Sequence, residues 1–206
     1  MKKLLMVFVV GLLATFLLGL DGRAEIQIGI AAPMTGDLAS SGQVIVRTVE
    51  EVVRKHNDRG GVLGQQLKLL IFDDECNPSQ AIVAANRMVK AGVQVVIGHL
   101  CRKASLSASR VYAEENILQI SPLRLWEPSK REFDSVFYFC DDLDGPDAKQ
   151  QLENLVYSAV EVFVQATDLA GSTRTRRLVE QMESKKFKTS RGNVRFDESA
   201  ACLVLR

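Results

Sequence analysis

The sequence lacks any strong bias of charge: 26 Lys and Arg stand against 25 Asp and Glu, with two His and a formal net charge of +1. A chain so nearly neutral gives no global electrostatic case for nucleic acid or for an anionic membrane surface as partner. Enzyme signatures are missing as well. There is no Gly-x-Ser-x-Gly elbow and no phosphate loop ending in Gly-Lys-Ser/Thr. Where a dinucleotide fingerprint would follow the first strand, Pro33-Met34-Thr35-Gly36 stands instead. No two cysteines have the two-to-four-residue spacing of a zinc half-site, and nothing else calls for a metal or a cofactor. Internal repeats and low-complexity stretches are absent, which sets aside solenoid architectures. No stretch after residue 20 is as apolar as the one before it.

That first stretch has the three parts of a secretory leader in order. Lys2 and Lys3 are followed by an apolar run from Leu4 to Leu20 and by Gly22-Arg23-Ala24, so cleavage before Glu25 is expected. No cysteine closely follows the run, which argues against a lipid anchor. All four cysteines, Cys76, Cys101, Cys140 and Cys202, lie beyond it, and an oxidising compartment lets them pair in any of three complete ways.

From residue 25 to 140 a short apolar run, a loop rich in Gly, Pro, Asp or Ser, and a helical pattern recur. Strands are expected over 26–31, 67–72, 93–97, 117–120 and 136–139. Their nearly continuous apolar character suits parallel strands covered on both faces. Helices are expected over 42–58, 78–90 and 104–115, the second opened by Pro78 and closed by Gly92. Right-handed crossovers then give an α/β fold, an open doubly wound parallel sheet. Its ligands belong beyond the carboxyl ends of the strands, at 33–36, 73–77, 98–103 and 121–126. After Cys140 the pattern changes: a loop over 141–146, helices over 147–169 and 175–184, and an extended closing segment over 188–196.

Few residues at that edge carry obvious chemistry. His56 lies on a helical face and reads as structural, whereas His99 stands at the edge without a second titratable group that spacing alone places beside it. Asp73-Asp74-Glu75 reads as a solvated turn. The stretch from Ser172 to Arg195 holds eight basic residues against two acids and reads as a solvated surface. The helix near Ala104 aims unpaired N–H groups at the edge, suited to a carboxylate, and Ser105 either adds a hydroxyl there or caps the helix.

These segments, taken in order, resemble a known family. Residues 28–36 (Ile-Gly-Ile-Ala-Ala-Pro-Met-Thr-Gly), Gly60-Gly61-Val62-Leu63-Gly64, residues 73–81 from Asp73 to Ala81, residues 96–101 ending His99-Leu100-Cys101, and Ile120-Ser121-Pro122 resemble the branched-chain amino-acid-binding proteins of ABC importers. The resemblance implies one lobe of a type I periplasmic-binding fold, a disulfide between Cys76 and Cys101, and a ligand held between two lobes. The segments at 156–170 and 187–197 resemble the family's return to its first lobe, and Asp142 with Gly145-Pro146 its crossing to the second. Residues 25–206 are thus expected to form lobe 1, as a sheet region at 25–140 and a returning region at 147–206, with lobe 2 missing from a family whose chains are roughly twice as long.

The implied role is an extracytoplasmic, periplasmic solute-binding component of an importer for branched-chain or related amino acids. Its partners would be a small amino acid or carboxylate and the membrane permease subunits. The rival is a non-transport interaction module or an inactive remnant. Carried onto this chain, the family's ligand positions fall at Arg102, Ala104, Ser105, Leu123, Arg124 and Leu125. Arg102-Lys103 stands where small hydroxyl residues are usual, and Leu123-Arg124-Leu125-Trp126 replaces the family's small residues and threonine. Burial of about 70 to 90% of a small ligand's surface is typical, and one lobe supplies only part of it.

Overall fold

The computed structural model describes residues 25–123, 132–140, 143, 145–198 and 202–206. The leader therefore lies outside the described residues, as do Arg124, Leu125, Trp126 and Asp142. Five parallel strands, β1 (Ile26–Ala32), β2 (Leu67–Asp73), β3 (Val95–Gly98), β4 (Leu118–Ser121) and β5 (Val136–Tyr138), form one sheet in the order β2-β1-β3-β4-β5. The order reverses between β1 and β3, and such a switch point opens a crevice beyond the carboxyl ends of those strands.

Alternation along the strands decides which helix covers which face. Ile26, Ile28, Ile30, Val95, Ile97, Leu118, Ile120, Phe137 and Phe139 pack on one side against α1 (Ala39–Asn57) and α4 (Ala148–Ala170). Ala31 and Val96 point to the other side, where α2 (Pro78–Ala91) and α3 (Arg102–Glu114) lie. Near-continuous apolar strands follow directly, since both pleat faces are dry.

Local chemistry sets the helix ends. The Asn77 side chain accepts from the N–H groups of Ser79 and Gln80, Pro78 opens the first turn, and Gly92 ends α2 in the left-handed region. Gly171 does the same for α4. Helix α1 begins at Ala39, three residues before the expected start; its first turn has no side-chain cap and carries no signal beyond two serines. Gly42 in that helix is indispensable, because an added Cβ would stand 1.9 Å from the Pro33 carbonyl oxygen.

The largest correction concerns the tail. In place of one extended segment, β6 (Lys186–Thr189), β7 (Gly192–Asp197) and β8 (Cys202–Leu205) form a separate antiparallel sheet behind α5 (Thr175–Ser184). It joins the β5 edge through a bridge between Phe139 and Leu203 and through the Cys140 N–H, which donates to the Leu203 carbonyl at 2.8 Å. A Cys140–Cys202 disulfide fixes the same junction, so two of the three possible pairings are excluded by the Cys76–Cys101 and Cys140–Cys202 bonds together.

Candidate functional site

The carboxyl edge is organised by the acidic turn after β2. Asp73 accepts from the Met34 N–H at 2.9 Å, from the Thr35 hydroxyl at 2.7 Å and from the Glu75 N–H at 2.9 Å, tying the loop after β1 to the loop after β2. Partial burial pushes its carboxyl up, but the hydrogen bonds from Met34, Thr35 and Glu75 outweigh it and hold the group below the ordinary carboxylate range.

The expected solvated turn fails at Asp74, which is completely buried. Its carboxylate meets His99 Nδ1 at 2.6 Å and accepts from the Cys76 N–H at 2.9 Å. The other ring nitrogen of His99 meets the Tyr112 hydroxyl at 3.1 Å, and that hydroxyl lies 3.4 Å from the Met88 sulfur. Facing a carboxylate, His99 Nδ1 carries the proton and donates it to Asp74, which leaves Nε2 to accept from the Tyr112 hydroxyl. Burial, with the Asp74 charge adding to it, pushes the Tyr112 hydroxyl far above its ordinary value, so it stays protonated. His99 therefore does have titratable partners. They were invisible from spacing because Asp74 follows β2, His99 follows β3, and β1 lies between those strands.

The same two loops are joined covalently by Cys76–Cys101, with Cα atoms 5.2 Å apart. Gly98 lets the loop pass close to β1: a Cβ there would stand 2.1 Å from the Ala31 carbonyl oxygen, and its φ of +133° is a glycine conformation. The Gly98 carbonyl accepts from Gln119 Nε2 at 3.1 Å. Gln119 also donates to the Ser105 hydroxyl at 2.8 Å, and its carbonyl oxygen accepts from the Ser109 hydroxyl at 2.8 Å.

That network relocates the residue singled out as a ligand hydroxyl. Ser105 and Ala104 are both fully buried, and the Ser105 hydroxyl is engaged between α3 and β4. Nor is Ser105 the cap, since Cys101 holds that position without a side-chain bond. Arg102 is exposed in the first turn of α3. Leu123 is half-buried and packs against the main core.

An open groove of about 680 Å³ lies where these loops meet the starts of α1 and α4. Leu38 and Val44 line it from α1 and the residue before it, Leu100 and Leu123 from the loops after β3 and β4, and Leu143 and Leu152 from the α4 side. Arg47 and Lys149 are its two cations, both exposed, with no acid among the lining residues and no ion pair among the described residues. Of the expected ligand positions the groove includes Leu123 and leaves out Arg102, Ala104 and Ser105. Arg47 had one usable signal: the helix after β1 must start at the ligand edge, so polar residues in its first turns face that edge or its rim.

Comparison with known proteins agrees with this architecture. The family model described as periplasmic binding protein matches residues 25–144. The Leu/Ile/Val-binding protein homolog 2 of Brucella abortus is 41% identical over 111 residues, which is 54% of this chain and 30% of that protein. The chain's match thus spans less than a third of that relative's length. A leucine-binding protein from Thermotoga maritima has the same fold with a TM-score of 0.70 at 14% identity, the alignment covering 85% of this chain and 92% of that one. A branched-chain amino acid transporter substrate-binding protein from Streptococcus pneumoniae, solved with isoleucine, gives 0.70 at 12% identity, covering 88% and 94%. With the family model matching more than half of its residues, this chain belongs to the periplasmic binding protein family and is related to its leucine/isoleucine/valine-binding members.

Proposed function

We propose that this chain is an exported, periplasmic lobe derived from an importer's solute-binding protein, and that the groove between α1 and α4 takes a small carboxylate with an apolar body. The groove carries this reading: leucines from four separate segments make its wall, and two cations with no ion pair among the described residues stand at its rim. An apolar wall with a few polar groups is what a small-molecule site needs. A carboxylate gains charge-assisted contacts from Arg47, whose planar fork suits it best. An ammonium finds no acid among the lining residues. In the two-lobed reading, Asp142 and Gly145-Pro146 mark the crossing to a second lobe, and this lobe alone covers only part of a ligand's surface. Affinity of about millimolar order follows for this lobe alone, weaker than for an enclosed site.

Thermal-shift titration of the purified chain tests this. Branched-chain amino acids, their 2-oxo and des-amino acid analogues, and the corresponding amides are compared. The carboxylates without an ammonium should stabilise most and the amides not at all. Ligand at a hundred times Kd adds about 2.7 kcal/mol. No shift with any of them at about 50 mM, where even a site of roughly millimolar affinity responds, would leave the non-transport interaction module or inactive remnant as the reading.

A further inference from the structure

The basic stretch near the end of the chain becomes an ordered array once it is folded. In the β6-β7-β8 sheet, Phe187, Thr189, Val194 and Leu203 are buried, so the pleat sends the alternate residues outward. The register places Lys186 opposite Arg195 and Arg195 opposite Val204, while Lys188 faces Asn193. Asn193 and Arg206 exchange both backbone hydrogen bonds, which sets Arg206 beside that row. Four of these six outward positions are cations, and Asp197, two residues beyond Arg195 on the same strand, shares their face as its one acid among the described residues. Only Arg195 has an acidic partner, Asp197 at 3.3 Å; Lys186 and Lys188 form no ion pair among the described residues. Neighbouring cations on such a face stand about 5 to 7 Å apart, and like charges directly opposite each other weaken a sheet. An anionic occupant removes that cost.

We propose that this face docks on an anionic phospholipid surface. Protein partners are usually held by aromatic or large apolar anchors seated in pockets. None of the six outward residues is aromatic, and Val204 is the one apolar side chain among them. The six line an open hollow of about 440 Å³, and its cationic walls without an anchor suit a mobile phosphate headgroup. Outside this row 22 Lys and Arg stand against 25 Asp and Glu, so the attraction is confined to this face and orients the molecule rather than merely concentrating it.

Vesicle sedimentation decides the matter, using the full chain as it accumulates in cells and equal parts phosphatidylglycerol and phosphatidylcholine at low ionic strength. The chain should pellet with these vesicles, pellet far less with phosphatidylcholine alone, and be released by 0.5 M salt. Each basic group near such a surface contributes about fivefold in partitioning, so Lys186→Glu with Lys188→Glu should reduce binding by at least about 25-fold. Arg176→Glu with Arg177→Glu, which reverses two exposed charges on α5, should change it by less than about twofold to fivefold, the small long-range share. Any apolar contribution of the leader is common to all variants and insensitive to salt. Equal binding to both vesicle types, or equal loss in the α5 variant, overturns the proposal. So does retention on an immobilised acidic polypeptide without vesicle binding, which would assign the face to a protein.

Discussion

Replacing either member of the buried Asp74–His99 pair should cost several kcal/mol of stability, about 3 to 5 for the histidine. Asp74 has no exposed surface and holds two donors, the His99 ring at 2.6 Å and the Cys76 N–H at 2.9 Å. His99→Phe keeps an aromatic ring in the cavity but leaves a carboxylate without its main partner and the Tyr112 hydroxyl without a nitrogen. Breaking one side of a buried pair costs about 3 to 5 kcal/mol, because the remaining charge stays out of water. Asp74→Leu strands the ring N–H and the Cys76 N–H, at about 1 to 3 kcal/mol for each unmet donor. The double variant removes both polar partners, so it should lose at least about 2 kcal/mol less than the sum of the singles. Urea unfolding followed by circular dichroism, with the disulfides intact, supplies all three values. Single losses under about 1 kcal/mol, or an additive double, would refute a coupled buried pair.

The two disulfides should differ in weight. Cys140–Cys202 closes a separation of 62 residues and Cys76–Cys101 one of 25. Loop-closure entropy gives about 4 kcal/mol for the first and about 3.5 kcal/mol for the second. Paired serine variants, melted beside the parent chain, should fall in that order, and peptide mapping without reductant should recover these two pairs and no others. Asp73 gives the chain an acid-labile element. Its folded-state pKa is depressed, so its contribution is present above the unfolded value of about 3.9 and is lost as pH falls through the lower folded value. Asp73→Asn should therefore flatten the stability profile below about pH 4 while leaving its shape between pH 5 and 7 unchanged; a profile still as steep as the parent's would assign acid lability elsewhere.

Most of the main sheet was legible in the sequence because its signals are redundant. β1 and β3 are apolar at nearly every position, β4 keeps Leu118 and Ile120, glycine, proline or asparagine stands at their boundaries, and handed crossovers leave few ways to order them. The tail sheet carried a weaker signal. Lys186-Phe187-Lys188-Thr189 alternates as a half-buried strand should, but a four-residue strand shows too few periods to stand out beside a basic stretch. The site was less legible than the fold for a reason of geometry. Asp74 and His99 meet across an intervening strand, Ser105 turns into the α3 and β4 interface because Gln119 is there to receive it, and the groove draws leucines from segments as far apart as Leu38 and Leu152. A strand is specified by neighbours in sequence, whereas each of these features depends on the order of strands and the direction of a side chain. The resemblance to a two-lobed family could supply the order but not the direction. For that reason it led correctly to the Cys76–Cys101 bond, which joins two loops whatever their side chains do, and placed a buried serine where a surface hydroxyl was wanted.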